Sequence, residues 1–174
     1  GGLSLVAGVA VAEALQAQGV KDVALKWPND IVVNGHKLGG LLVEGGGEFA
    51  GPARAVIGLG INVRMPPAFA AQITQPWTDL TTLIGGEVSR NAVVTGLLAH
   101  LLPALELFEQ DGLAPFLARY AALDSLAGRT VRVEDGGTWH EGQALGLAED
   151  GALRVRIEGV ERVFHAGEVS VRAQ

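Results

Sequence analysis

The chain has 174 residues, 48% hydrophobic and 18% charged, with a formal net charge of −6 and no cysteine. This composition is that of a globular chain rather than a disordered one, sized for one domain or one plus a small second. The lack of cysteine excludes a disulfide scaffold, thiol catalysis and a cysteine zinc site, and an acidic chain without a dense basic run is not built mainly to hold nucleic acid.

The elements follow in chain order. Residues 3–15 form a mostly apolar segment interrupted by Glu13, shorter than the ~20 apolar residues a membrane span needs, and preceded by no basic stretch, so neither a membrane segment nor a secretion signal is expected. They read as a buried helix over 3–18 that Gly19 stops. The chain opens without Met, and Met65 is its only one, so it reads as a piece of something longer. Strands are expected at 23–26, 31–33 and 37–44. A proline turn at Trp27-Pro28-Asn29-Asp30 separates the first two, and an Asn34-Gly35 hairpin joins the next two. A glycine-rich loop at 45–52 leads to a strand at 53–63, giving an antiparallel sheet behind one helix. Helices are expected at 77–84, from a Ser89 cap to about 110 with Pro103 as a kink, and at 113–123. From Arg129 the pattern turns to short strands at 130–133, 138–147, 152–157 and 160–165. This suggests a small barrel, with a domain boundary near Ser125.

Few residues invite chemistry. Asn29 and Asp30 make an ordinary turn, yet at the mouth of a sheet an amide can read a base edge and a carboxylate can hold a metal. Lys37 is either a solvated strand residue or an anion grip, because Gly39 and Gly40 inside a strand are costly unless something approaches the backbone. Gly58-Leu59-Gly60-Ile61-Asn62 is either a bulge or a second bare stretch against which a ligand lies. No phosphate loop of the GxxxxGK[ST] type exists, no Ser-His-Asp set stands out, and the four histidines form no metal pattern.

The order and spacing of these signals are more specific than any one of them. KWPND at 26–30, KLGGLLVE at 37–44 and GLGIN at 58–62 resemble biotin protein ligase. The resemblance extends to the helix at 4–13, the segments at 105–109 and 116–120, the link at 124–131 and the strand at 167–172. It implies an α+β fold: residues 1–124 forming a mixed or antiparallel sheet with helices, class II synthetase-like, and residues 125–174 forming a small SH3-like β-barrel. The implied activity converts biotin and ATP to biotinyl-5′-AMP and passes biotin to a lysine of a biotin carboxyl carrier protein, such as that of acetyl-CoA carboxylase. Lys37 is then the catalytic cation and also contacts biotin. Gly40, Leu42, Gly58 and Gly60 wall the biotin pocket, while Asn29, Asp30, Ile61, Asn62 and Arg172 serve the nucleotide. Asp30 is the Mg²⁺ candidate. Glu168 and Arg172 bear on the nucleotide across the domain gap, or form a cross-strand ion pair. A cytoplasmic location, no membrane, no nucleic acid and a homodimer complete the expectations.

One departure stands out. The family's GRGR-type loop, its first strands and the DNA-binding helix-turn-helix of some members have no counterpart in residues 1–25. Half of the biotin site is expected to be missing, with sheet edges exposed to association. The alternative is a non-catalytic fragment that binds a carrier or partner. The lipoate ligase group shares fold and adenylation chemistry, but the full match over 26–44 and the C-terminal strands count against it.

Overall fold

In the structure, a computed structural model that describes residues 2–46, 54–166 and 169–173, the apolar opening run folds as α1 (Leu3–Ala17). No polar stripe interrupts it, and Leu5 through Ala12, Ala14 and Leu15 are all buried. Such a helix must be covered on every side. One side meets the sheet and the other meets α4 (Arg90–Asp111) and α5 (Ala114–Leu123). Glu13 is the exception in the run: its carboxylate accepts two hydrogen bonds from Arg119 of α5, at 2.9 and 2.5 Å. Among the described residues α4 alone is long and apolar enough to cross a membrane by length and composition.

The sheet contains β1 (Val23–Lys26), β2 (Asp30–Val33), β3 (His36–Gly46) and β4 (Arg54–Ile61) in that order, all antiparallel. The Asn34-Gly35 turn has the positive φ angles, 49° and 77°, that a tight hairpin requires. Gly45 and Gly46, expected in a loop, pair with Ala55 and Arg54 and so continue β3; the rest of that expected loop lies outside the described residues. Leu25, Ile31 and Leu41 point into the core beneath α1. The opposite face carries Asp30, Gly40, Leu42, Gly58 and Gly60, since paired residues share a side and alternate ones return to it.

After β4 the chain makes a short helix, α2 (Pro67–Ala70), which the sequence reading did not anticipate, and then α3 (Leu80–Ile84). α3 begins three residues later than the expected start at Trp77. Trp77 is instead extended and bridges Lys37, and Asp79 caps the helix by accepting from Thr82 N. Ser89 caps α4 as expected, and Pro103 lies within that helix without ending it.

The second unit holds β5 (Thr130–Asp135), β6 (Thr138–Leu147), β7 (Leu153–Ile157), β8 (Val160–Phe164) and β9 (Val169–Ala173), in the order β8-β7-β6-β5-β9. Val131, Val133, Ala144, Leu153, Val155 and Phe164 are buried in its core. β9 takes the free side of β5, which leaves β8 at the other edge. Among the described residues nothing pairs β8 with β9, so the sheet is open where a closed barrel was expected.

The two units are joined at the proline turn. Ser125 N donates to Leu25 O at 2.9 Å, and the buried Trp27 donates its indole N–H to Gly151 O at 3.1 Å. Trp27 thus anchors the start of the turn in the second unit, while Asn29 and Asp30 at its end lie against the sheet.

Candidate functional site

The geometry of the site begins with a bulge. Ile31 pairs with Gly39 but Val32 pairs with Lys37, so Leu38 is the extra residue in β3. In an unbroken strand Lys37 and Gly40, three apart, would point to opposite faces. The bulge changes that parity and puts Lys37 on the face of Asp30 and Gly40. There Lys37 Nζ lies 2.5 Å from Asp30 Oδ1, with both side chains partly exposed. A Cβ at Gly40 would sit 3.4 Å from Asp30 Oδ1 and 3.6 Å from Lys37 Cε, so the glycine lies directly beneath the ion pair.

Gly39 and Gly40 have different jobs. A Cβ at Gly39 would collide with the Gly60 carbonyl oxygen and with Ile61, so this glycine is required by the sheet itself. At Gly60 a Cβ would meet only Gly40 O, at 4.0 Å, and at Gly58 its nearest neighbour would be Leu42 O at 3.5 Å. Those two positions leave the face bare without a packing reason. Leu42, 61% exposed, stands beside them as an apolar side chain with little cover.

Lys37 is held through its backbone as well. Its N–H donates to Pro76 O at 2.9 Å and its carbonyl accepts from Thr78 N at 3.0 Å. Asn62 reinforces the same contact, with Nδ2 donating to Lys37 O at 3.4 Å and Thr78 O at 3.1 Å. Asn29 donates from Nδ2 to Leu41 O at 2.7 Å and accepts Leu41 N on its own carbonyl at 2.9 Å. In both asparagines the amide nitrogen expected to face a base is committed to backbone, and the amide oxygen is the group left for a ligand. Ile61 pairs with Gly39, so its side chain points to the core face and its backbone is the part within reach of a nucleotide.

Asp79 is the residue the sequence reading passed over. It is buried, and its carboxylate accepts from Met65 N at 2.7 Å and Thr82 N at 2.8 Å, fastening the 62–82 segment that grips Lys37. Its signal was legible: an Asp directly before the apolar run LTTLI is a helix cap. Burial works against its ionisation. The donors Met65 N–H, Thr82 N–H and the Thr82 hydroxyl, with Arg64 nearby, prevail and hold the carboxyl below its ordinary 3.8. With the folded value depressed, the stabilisation is present above the unfolded value and is lost as pH falls through the folded one. Asp79→Asn is therefore expected to flatten the acid limb of the stability profile, and Asp79→Ala to cost about 1 kcal/mol at neutral pH, as cap removals do. Urea unfolding at several pH values measures both; an unchanged acid limb in Asp79→Asn contradicts the role.

An open groove of about 1340 Å³ runs beside the ion pair. Lys26, Asp30 and Lys37 line one side, residues 72–76 another, and Ser125, Leu126 and Arg129 of the second unit a third. Lys26 shares a face with Asp30, so the groove meets the glycine face at the Lys37–Asp30 pair. The backbone of Arg172 lies in β9 opposite Arg132; its side chain and Glu168 lie outside the described residues. No group of three or more His, Cys, Asp or Glu able to hold a metal occurs among the described residues. Asp30 is a single carboxylate already neutralised by Lys37, and this donor set does not fit a metal bound by the chain alone.

A bare sheet face that ends at a fixed ammonium thus lies next to a groove lined by both units. Residues 2–122 match the biotin/lipoate A/B protein ligase family, and residues 127–172 match the biotin protein ligase C-terminal domain. The chain belongs to the biotin/lipoate A/B protein ligase family. It is 39% identical over 172 residues to the bifunctional ligase/repressor BirA of Escherichia coli (strain K12), covering 99% of this chain and 53% of that protein. It is 33% identical over 174 residues to the biotin--[acetyl-CoA-carboxylase] ligase of Mycobacterium tuberculosis (strain ATCC 25618 / H37Rv), covering 97% and 62%. The chain thus spans about half the length of the curated relatives it matches. The solved biotin protein ligase from Aquifex aeolicus in complex with biotin and ATP superposes with a TM-score of 0.84 at 27% identity, over 99% of this chain and 71% of that one.

Proposed function

We propose that this chain carries the charge-stabilising half of an ATP-dependent biotin–protein ligase site. The observation that supports it best is the Lys37 ammonium held over Gly40 by the bulge, by Asp30 and by two backbone hydrogen bonds. In the proposed reaction a biotin carboxylate oxygen attacks the α-phosphorus of ATP. The bond to the bridging oxygen breaks, pyrophosphate leaves, and biotinyl-5′-AMP remains. A carrier lysine then attacks the acyl carbon, forms an amide, and AMP departs. Both steps build negative charge where carboxylate and phosphate are joined, and a pre-fixed cation lowers the barrier there without reorganising.

In this reading Lys37 is the catalytic residue and Asp30 orients it. Gly40, Gly58, Gly60 and Leu42 form a wall along which biotin lies. Asn29 and Asn62, through their amide oxygens, the Ile61 backbone and Arg172 serve the nucleotide. Magnesium, if used, enters on the nucleotide's phosphates and draws little from this chain. The acceptor is a biotin carboxyl carrier protein of an acetyl-CoA carboxylase or related enzyme, and the reaction runs in the cytoplasm. The domain limits are 1–124 and 125–174, and the second unit is of the SH3-like type. The test is ATP- and biotin-dependent pyrophosphate release, followed by label transfer to a purified carrier domain, using the protein that contains this chain. Release and transfer are expected; release without any dependence on biotin would refute the assignment.

A further inference from the structure

Trp27 belongs to the first unit, yet its indole N–H is spent on the second. The acceptor, Gly151 O at 3.1 Å, lies in the turn between β6 and β7. That turn is braced from within: Gly151 N donates to Ala148 O at 2.9 Å, Ala148 N to Ala152 O at 2.8 Å, and Ala152 N to Asp150 Oδ1 at 3.0 Å. Gly151 is buried with φ at 87°, and a Cβ there would come 2.6 Å from Leu5 Cδ1 of α1 and 3.0 Å from Leu113 Cδ2. The turn therefore enters a socket formed by Leu5, Leu113 and Trp27, in a conformation that suits glycine.

The hairpin that starts at this joint carries the site. Lys26 pairs with Asp30, so residues 27–29 are the whole connection between β1 and β2. Asn29 fastens the far side of that connection to Leu41, and Trp27 fastens the near side to the second unit. Three residues beyond Trp27, Asp30 holds the Lys37 ammonium. We propose that Trp27 is a positioning residue of the ligase site, whose hydrogen bond to Gly151 makes a seated second unit a condition for the placement of the Asp30–Lys37 pair. Without the indole donor a carbonyl of a buried residue is left unpaired, and movement of the turn relieves it. The kinetic consequence rests on the ligase reading; the mechanical one does not.

Two substitutions on opposite sides of the joint test it in the protein that contains this chain. Trp27→Phe removes the donor and keeps an aromatic ring, while Gly151→Ala disturbs the socket from the second unit. Hydrogen exchange followed by mass spectrometry is expected to quicken in residues 26–41 of both variants and to stay as in the wild type over the rest of α1. Because Gly151 lies in the other unit, that change reports coupling, and it needs no turnover. In biotin-dependent pyrophosphate release each variant is expected to lower kcat by about tenfold, as small misplacements of a charge-stabilising group do. KM for biotin is expected to hold, since β3 and β4 carry the proposed biotin wall and Trp27 lies outside them. Added to Lys37→Ala, Trp27→Phe is expected to lower the rate no further, because it acts through Lys37. Unchanged exchange over 26–41 in Gly151→Ala overturns the proposal whatever the activity. So does a further tenfold loss on the Lys37→Ala background, or a Trp27→Phe protein that melts early yet turns over normally. A wild type without biotin-dependent release would instead defeat the ligase reading, with exchange still deciding the joint.

Discussion

Lys37→Ala is expected to slow biotin- and ATP-dependent pyrophosphate release by about 10²- to 10³-fold, the usual loss when a preorganised charge-stabilising group is removed. The fold is expected to survive. The side chain is partly exposed, and the contacts that fix the residue's position, to Pro76 O and from Thr78 N, belong to its backbone. What disappears is an ammonium already in place, 2.5 Å from Asp30 and directly above Gly40. Lys37→Arg keeps the charge but spreads it over a planar group in place of a compact ammonium, so only partial recovery is expected. Rates near wild type for Lys37→Ala, in protein that unfolds normally in urea, would remove Lys37 from the mechanism.

The second large effect separates two glycines that look alike in sequence. Gly39→Ala places a methyl group against the Gly60 carbonyl and Ile61, and backbone cannot swing aside as a side-chain tip can. Overpacking of this kind costs about 1–3 kcal/mol, and because Gly39 adjoins the bulge the loss is expected to carry the Lys37 position with it. Gly60→Val meets only Gly40 O at 4.0 Å, and valine suits a strand. That variant is expected to keep its stability and to lose biotinyl-5′-AMP binding, because its side chain stands on the bare face. Thermal melts and ligand titration on the pair decide the matter. If Gly60→Val melts early while Gly39→Ala binds normally, the division of labour is wrong.

Much of the fold was legible because it depends on local chemistry. Residues 5–12 are apolar at every angle, which demands a helix covered on all sides. Asn34-Gly35 between two apolar runs admits little but a hairpin, and Ser89 before a long apolar stretch is a cap. The candidate site residues were named through a resemblance to a family, but how they lie relative to one another was not legible. Whether Lys37 faces the ligand side or the core depends on one extra residue at Leu38. That bulge is set by the pairing of Gly39 with Ile31 and Ile61, residues distant in sequence or turned to the other strand. Likewise nothing local to Asn29 or Asn62 shows that their amide nitrogens are spent on Leu41 O, Lys37 O and Thr78 O. The late start of α3 follows from a rivalry visible only in space: Trp77 is held extended beside Lys37, so the helix waits for Asp79. Closure of the C-terminal strands was inferred from their number and spacing, which specify a sheet but not which edges meet.

The central claim is that the glycine face and Lys37 together receive a biotin carboxylate joined to phosphate. Calorimetric titration of the protein that contains this chain with biotinyl-5′-AMP tests it most directly. Saturable one-to-one heat that is lost or strongly weakened in both Lys37→Ala and Gly60→Val is the predicted result. Binding that neither substitution alters, or no heat from that protein shown to be folded, would contradict it.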